Sequence, residues 1–221
     1  MHKIIDNLIL IENTLKEKLN SNTDIPTIIA VSKTFPMSEI IPLINHGHQH
    51  FGENKIQESI EKWTTIKNDF KDIKLHMIGK LQSNKVKYVL PLFDYVHSLD
   101  NLKLAEKISG EQKKFKKKLK IFIQVNIGNE IQKSGINIEN LVNFYDTCTK
   151  KLDLNIIGLM CLPPNNQDSK RYFLEMKKLS NKINVRDLSM GMSSDYIEAS
   201  INGSTFIRVG SMIFGERSNK V

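Results

Sequence analysis

Lys33 closes the segment Thr27-Ile28-Ile29-Ala30-Val31-Ser32-Lys33, and its placement is the sharpest chemical signal in the chain. A lysine at the end of an apolar, β-branched run cannot easily reach water if it points inward. Burial disfavours the ammonium, and the neutral amine is the form that condenses with an aldehyde. The simpler alternative is a lysine that reaches solvent along its own stem or pairs with a carboxylate such as Glu53. A second constellation is Gly203-Ser204-Thr205-Phe206-Ile207-Arg208-Val209-Gly210-Ser211. A strand that ends in Gly-Ser and enters a helical segment can present free backbone N–H groups to an anion. Gly191-Met192-Ser193-Ser194 offers a similar start one loop earlier, where Ser193 could add a hydroxyl and a helix-start N–H.

These groups need elements to position them. An opening amphipathic segment places Ile4, Leu8, Ile11, Leu15 and Leu19 on one face. Strand-type runs then follow at 27–33, 48–51, 74–78, 95–97, 121–126, 155–159, 187–189 and 205–209. Helical patterns fall between them at about 53–68, 83–90, 101–115, 138–151, 168–182 and 193–201. Eight strands of fully buried type in regular βα alternation predict a single (β/α)8 TIM barrel with an extra N-terminal helix, one domain over residues 1–221. An open doubly wound sheet is the alternative, but no strand is followed by a Gly-rich dinucleotide fingerprint. In a barrel the chemistry sits at the carboxyl ends of the strands. Those ends read Lys33, Gly52-Glu53-Asn54, Gly79 after His76, His97-Ser98, Asn126, Met160, Gly191 to Ser194, and Arg208 with Gly210-Ser211. An amine at one side and a phosphate cradle at the last two loops suit a phosphorylated aldehyde. Pyridoxal 5′-phosphate (PLP) is the commonest such cofactor; a phosphosugar aldolase meets the same description.

Composition narrows the class. Forty per cent hydrophobic and 25% charged residues over 221 positions describe a water-soluble globular chain. The first twenty residues carry charges among spaced apolar positions, so neither a secretory leader nor a membrane span is expected. Cys148 and Cys161 form no CxxC, which fits reduced thiols and a cytoplasmic location. Part of the net charge of +8 lies in the run Lys113 to Lys120. Without stacking aromatics or a nucleic-acid motif it reads as a solvated helix end, and no specific nucleic acid is expected. His46-Gly47-His48-Gln49-His50 imitates a metal motif, with His76, His97 and Asp100 downstream. His46 belongs to a helix end, however, and His48 and His50 lie early in their strand, away from the rim, so no metal is expected.

Several separate motifs resemble the pyridoxal phosphate homeostasis proteins, the YggS/PROSC family, between about Ile28 and Arg217. They are Ala30-Val31-Ser32-Lys33-Thr34, Phe51-Gly52-Glu53-Asn54 with Gln57-Glu58, His76-Met77-Ile78-Gly79 with Leu81-Gln82-Ser83-Asn84-Lys85, and Val96-His97-Ser98. Further along stand Val125-Asn126-Ile127 with Lys133-Ser134-Gly135, Gly158-Leu159-Met160, Leu188 to Ser193, Gly203-Ser204-Thr205, Arg208-Val209-Gly210 and Ile213-Phe214-Gly215-Glu216-Arg217. The resemblance implies a barrel similar to the alanine racemase N-terminal domain, with PLP held as a Schiff base on Lys33. It places Asn54 beside the cofactor ring and Arg208 near the pyridine nitrogen. Ser193, Gly210 and Ser211 match phosphate-binding positions, and Met192 lines the pocket. Leu75, Lys55 and Lys80 depart from the family pattern and change only the rim.

PLP catalysis relies on the ring as an electron sink, strongest when its nitrogen is protonated beside a carboxylate. Arg208, permanently cationic, would oppose that protonation. With Val221 ending the chain soon after the last motif, a racemase-type second domain with its catalytic tyrosine is not expected. The expected function is therefore cofactor buffering and delivery by a monomer, with apo PLP-dependent enzymes as recipients and at most weak side activity. The alternative is a PLP-dependent racemase or decarboxylase.

Overall fold

The computed structural model describes residues 2–21, 23–130, 132–164 and 167–216; Arg217, named in the last motif, lies outside them. The chain opens with α1 (Lys3–Lys18), whose Ile4, Leu8, Ile11 and Leu15 are buried as the sequence stripe predicts. Strands β1 (Thr27–Val31), β2 (His50–Glu53), β3 (Lys74–Met77), β4 (Tyr95–Leu99), β5 (Lys120–Val125), β6 (Ile156–Cys161), β7 (Asp187–Ser189) and β8 (Phe206–Val209) follow. Between and after them come α2 (Met37–Asn45), α3 (Ile56–Asp69), α4 (Val86–Leu92), α5 (Leu102–Phe115), α6 (Leu141–Asp146), α7 (Ser169–Lys182), α8 (Tyr196–Ile201) and α9 (Ser211–Phe214). The eight strands close into a barrel in sequence order, as expected. Every pairing is parallel, and the ring is joined where β1 meets β8, with Ile28 opposite Ile207 and Ala30 opposite Val209.

Two cores hold this shape. A large one fills the layer between strands and helices, and a small one, Ile29, Tyr95, Phe122, Met160 and Phe206, fills the inside of the ring. Local signals set the helix ends. Asn101 accepts from the Leu104 N–H at 2.9 Å to start α5, and Asp168 accepts from the Lys170 N–H at 3.0 Å to start α7.

Three expectations shift. The first strand stops at Val31, so Lys33 stands two residues beyond it in a turn whose next residue, Thr34, has φ +71°. The second strand begins at His50 rather than His48, which moves Glu53 from a helix into the sheet. The long helix expected over 138–151 is split into a 3₁₀ turn, α6 and a wider turn, Thr147–Lys151. There the Thr147 and Thr149 hydroxyls donate to the carbonyls of Asn143 and Tyr145, a competition that loosens helices. The basic run bridges α5 and β5, with Lys118 paired to Asp153 at 2.7 Å. No described helix is long and apolar enough to cross a membrane.

Candidate functional site

The turn carrying Lys33 is held from behind by a buried carboxylate. Glu53, fully buried at the end of β2, accepts from the Ser32 hydroxyl at 2.8 Å, the Trp63 indole at 3.0 Å and the Lys62 ammonium at 2.9 Å. Glu58 accepts the Thr34 backbone N–H at 2.8 Å, and that bond with the nearby Lys62 and Lys55 charges outweighs desolvation and pulls its carboxyl below the usual range. On the other side, Phe35 stacks on Phe214 of α9, with ring centres 4.8 Å apart. The turn is thus fastened to α3 and α9 at once.

A cavity of about 650 Å³ opens at the carboxyl ends of the strands, where the barrel fold puts its chemistry. Lys33, Asn54 and Arg208 line it, as do Met192, Ser193, Gly210 and Ser211. Gly79 sets the position of Asn54, since a Cβ there would lie 2.5 Å from the Asn54 carbonyl oxygen. The Asn54 Oδ1 is buried at this wall without a hydrogen-bond partner, an acceptor waiting for a donor. Gly210 caps α9, and its carbonyl accepts from the Ile213 and Phe214 N–H groups at 3.0 and 2.9 Å, which leaves Ser211 and Met212 as the first-turn N–H groups not bonded within the helix. Ser193 lies in a turn, three residues before α8 begins at Tyr196, so it is not the helix start expected. Asp195 takes the cap position and accepts the Met192 N–H at 2.7 Å instead.

Arg208 projects from β8 into the barrel and is only 5% exposed. Its two terminal nitrogens donate to the Ser189 hydroxyl at 2.7 Å and the Cys161 carbonyl at 2.9 Å. Burial lowers its pKa, but a guanidinium remains charged across the accessible range. Burial also pushes the Cys161 thiol up to about 12. Lys133 adds a third cation to the cavity wall; its ammonium sits 2.5 Å from Glu130 and donates to the Pro163 carbonyl. Among the described residues, no Asp or Glu lines the cavity. With Lys133 already paired to Glu130, Lys33 and Arg208 still leave the described lining basic, which favours an anionic ligand.

Lys133, Leu162 and Pro163 are lining residues that the sequence reading leaves out; the Lys-Ser-Gly turn after the fifth strand is their one visible sign. His97, expected at the rim, is instead fully buried inside the ring. The strand continues past it to Leu99, which moves the rim onward. His48 Nε2 is engaged with the His50 carbonyl at 2.9 Å, and no described group of three or more side chains is arranged to hold a metal ion.

An amine on the first βα turn thus shares one cavity with the loops after the last two strands of a closed (β/α)8 barrel. The family model described as alanine racemase, N-terminal domain, matches residues 10–218. A pyridoxal phosphate homeostasis protein of Aquifex aeolicus is 34% identical over 212 residues, 91% of each chain. The structure of PipY from Synechococcus elongatus with PLP bound is similar at a TM-score of 0.82 and 31% identity, covering 96% of this chain and 100% of that one. An alanine racemase of Clostridium difficile, at 15% identity and a TM-score of 0.74, covers 100% of this chain and 59% of its own, and shares the fold alone. The chain belongs to the alanine racemase N-terminal domain family and, within it, to the pyridoxal phosphate homeostasis proteins.

Proposed function

We propose that this protein binds PLP covalently through the Lys33 amine and serves PLP homeostasis, holding the cofactor and passing it to apo PLP-dependent enzymes. The observation that carries this reading is the one cavity that brings together Lys33, the buried Arg208 and the Ser193 and Gly210-Ser211 loops. When bound, the cofactor supplies an electrophilic aldehyde and an electron-accepting ring. Ser193, Gly210 and Ser211 suit its phosphate, and the orphaned Asn54 Oδ1 suits a hydroxyl donor on the ring. Arg208 at a ring nitrogen discourages protonation there and so weakens the electron sink. Apart from lysines, no described lining side chain is suited to moving a proton to or from a substrate carbon, which favours a carrier over a catalyst. Relatives named for homeostasis rather than for a reaction support the same view.

A racemase or decarboxylase reading rests on one observation, the second amine supplied by Lys133. Two measurements decide. Purified protein loaded with PLP is expected to be yellow, with the visible band abolished in Lys33→Ala and borohydride trapping the cofactor on the Lys33 peptide. Attachment at another lysine would overturn the assignment, and amino-acid turnover near ~10 per second would favour the enzyme.

A further inference from the structure

Below the cavity, five side chains from five strands form one hydrogen-bonded line through the inside of the barrel. Arg208 Nη1 lies 2.7 Å from Ser189 Oγ, and Ser189 Oγ lies 2.8 Å from His97 Nδ1. His97 Nε2 lies 2.9 Å from His76 Nδ1, and His76 Nε2 lies 2.9 Å from His50 Nδ1. His50 opens β2, at the opposite mouth from the cavity. His76 and His97 are fully buried and held flat: His76 stacks on Tyr95 at 4.1 Å, and His97 on Phe122 at 4.3 Å.

The polarity of this line follows from its top. A guanidinium has donors and no acceptor, so Ser189 Oγ must accept from Arg208. The serine proton is then free to donate to His97 Nδ1. A neutral imidazole that accepts at Nδ1 donates at Nε2, which passes the same sense to His76 and from His76 to His50. With the serine proton on that bond, all three rings are Nε2–H tautomers, and each dipole turns its lone pair towards the buried cation. Such chains strengthen one another in a low-dielectric interior. The surroundings oppose any second proton: Arg208 faces His97, and Lys74 and Lys120 face His50 with Asp94 as the one acid near it. Among the described residues, Arg208 forms no ion pair; the Asp195 carboxylate favours its charge only from beyond ion-pair distance, and these dipoles and the Cys161 carbonyl are the groups that compensate its burial by direct contact.

The geometry points to Ser189, His97, His76 and His50 as positioning residues: a one-way hydrogen-bond line that aims Arg208 at the cavity from the far mouth of the barrel. The consequence for cofactor binding rests on the proposed function, but the line itself does not. Nitrogen-15 NMR of cofactor-free protein with labelled histidines reads the tautomers directly. The expected result is neutral Nε2–H rings for His50, His76 and His97 at pH 7, with His97 losing its fixed tautomer in Ser189→Ala. A cationic or Nδ1–H ring at His97, or no response to Ser189→Ala, would overturn the proposal. In PLP-loaded protein, His97→Leu is expected to weaken binding about ten-fold and shift the visible band. His97→Asn keeps an acceptor towards Ser189 and is expected to restore most of both, while His50→Leu moves the band less and in the same sense. Equal behaviour of the Leu and Asn variants would also sink it. Failure of PLP to bind at all would count against the proposed function and leave the NMR result to decide the line.

Discussion

Lys62 Nζ lies 2.9 Å from Glu53 Oε1, with the two side chains only 8% and 0% exposed, and it also donates to the carbonyls of Ser32 at 3.0 Å and Phe35 at 3.1 Å. Those two carbonyls flank Lys33 on either side. The α3 lysine is therefore a peg that fixes the turn carrying Lys33. Removing one partner of a buried pair strands the other charge, so Lys62→Met is expected to cost about 3–5 kcal/mol in a urea unfolding experiment. Replacing both, Glu53→Leu with Lys62→Met, should recover much of that loss while leaving the turn loose and PLP capture slower. A single variant within about 1 kcal/mol of wild type would refute the peg.

Acid should weaken the fold earlier than carboxylates alone would allow. Burial lowers His48 and His50 from 6.5 to about 4, and His76 and His97 well below 6.5. The unfolded chain, with ordinary histidines, then binds more protons than the native one below pH 6.5. Stability is fully present above that value and falls as pH drops towards 4, by about 1.4 kcal/mol per pH unit for each extra proton. Urea midpoints measured from pH 7.5 to 4.5 check the sign, and His48→Gln should flatten the slope. A midpoint that holds steady over that range would contradict the assignment.

Two glycines make a matched pair. Gly79→Ala must push against the Asn54 backbone at 2.5 Å and is expected to lower both stability and PLP affinity. Gly110 sits within α5 with nothing inside 4 Å of its would-be Cβ. Gly110→Ala should therefore raise stability by about 0.5–1 kcal/mol and leave binding unchanged. Thermal melts with a PLP titration separate the two effects.

The phosphate assignment has its own control. Ser193→Ala and Ser211→Ala should each weaken PLP binding by about 1 kcal/mol, roughly five-fold. Neither should alter the affinity for pyridoxal, which lacks the phosphate. An equal loss for both ligands would place these serines elsewhere than at the anion.

The alternation of β-branched runs with amphipathic helices made the barrel legible, because strands buried on both faces leave a continuous apolar trace. The cavity residues at the strand ends were legible for the same reason, since the fold dictates which strand ends converge, whereas Lys133, Leu162 and Pro163 sit on loops that the fold does not fix. The histidines were not. His97 read as a rim group, and His50 stood only in a metal-like motif that the sequence argument set aside, because facing direction depends on ring closure and register, which a lone sequence does not display. Glu53 and Lys62 were equally opaque: nothing in a nine-residue separation announces that one carboxylate will gather a serine, an indole and an ammonium. Ser193 was misplaced by three residues because Asp195, an equally good cap, competed for the helix start.

The joint between β1 and β8 gives the cavity a further meaning. Lys33 stands just past one side of that joint and Gly210-Ser211 just past the other, so two facing parts of the cavity wall follow the first and the last strand of the ring. Neither part exists as a site until the ring has shut. A molecule gripped by both works as a clasp on the circle, and its binding energy adds to the cost of opening it.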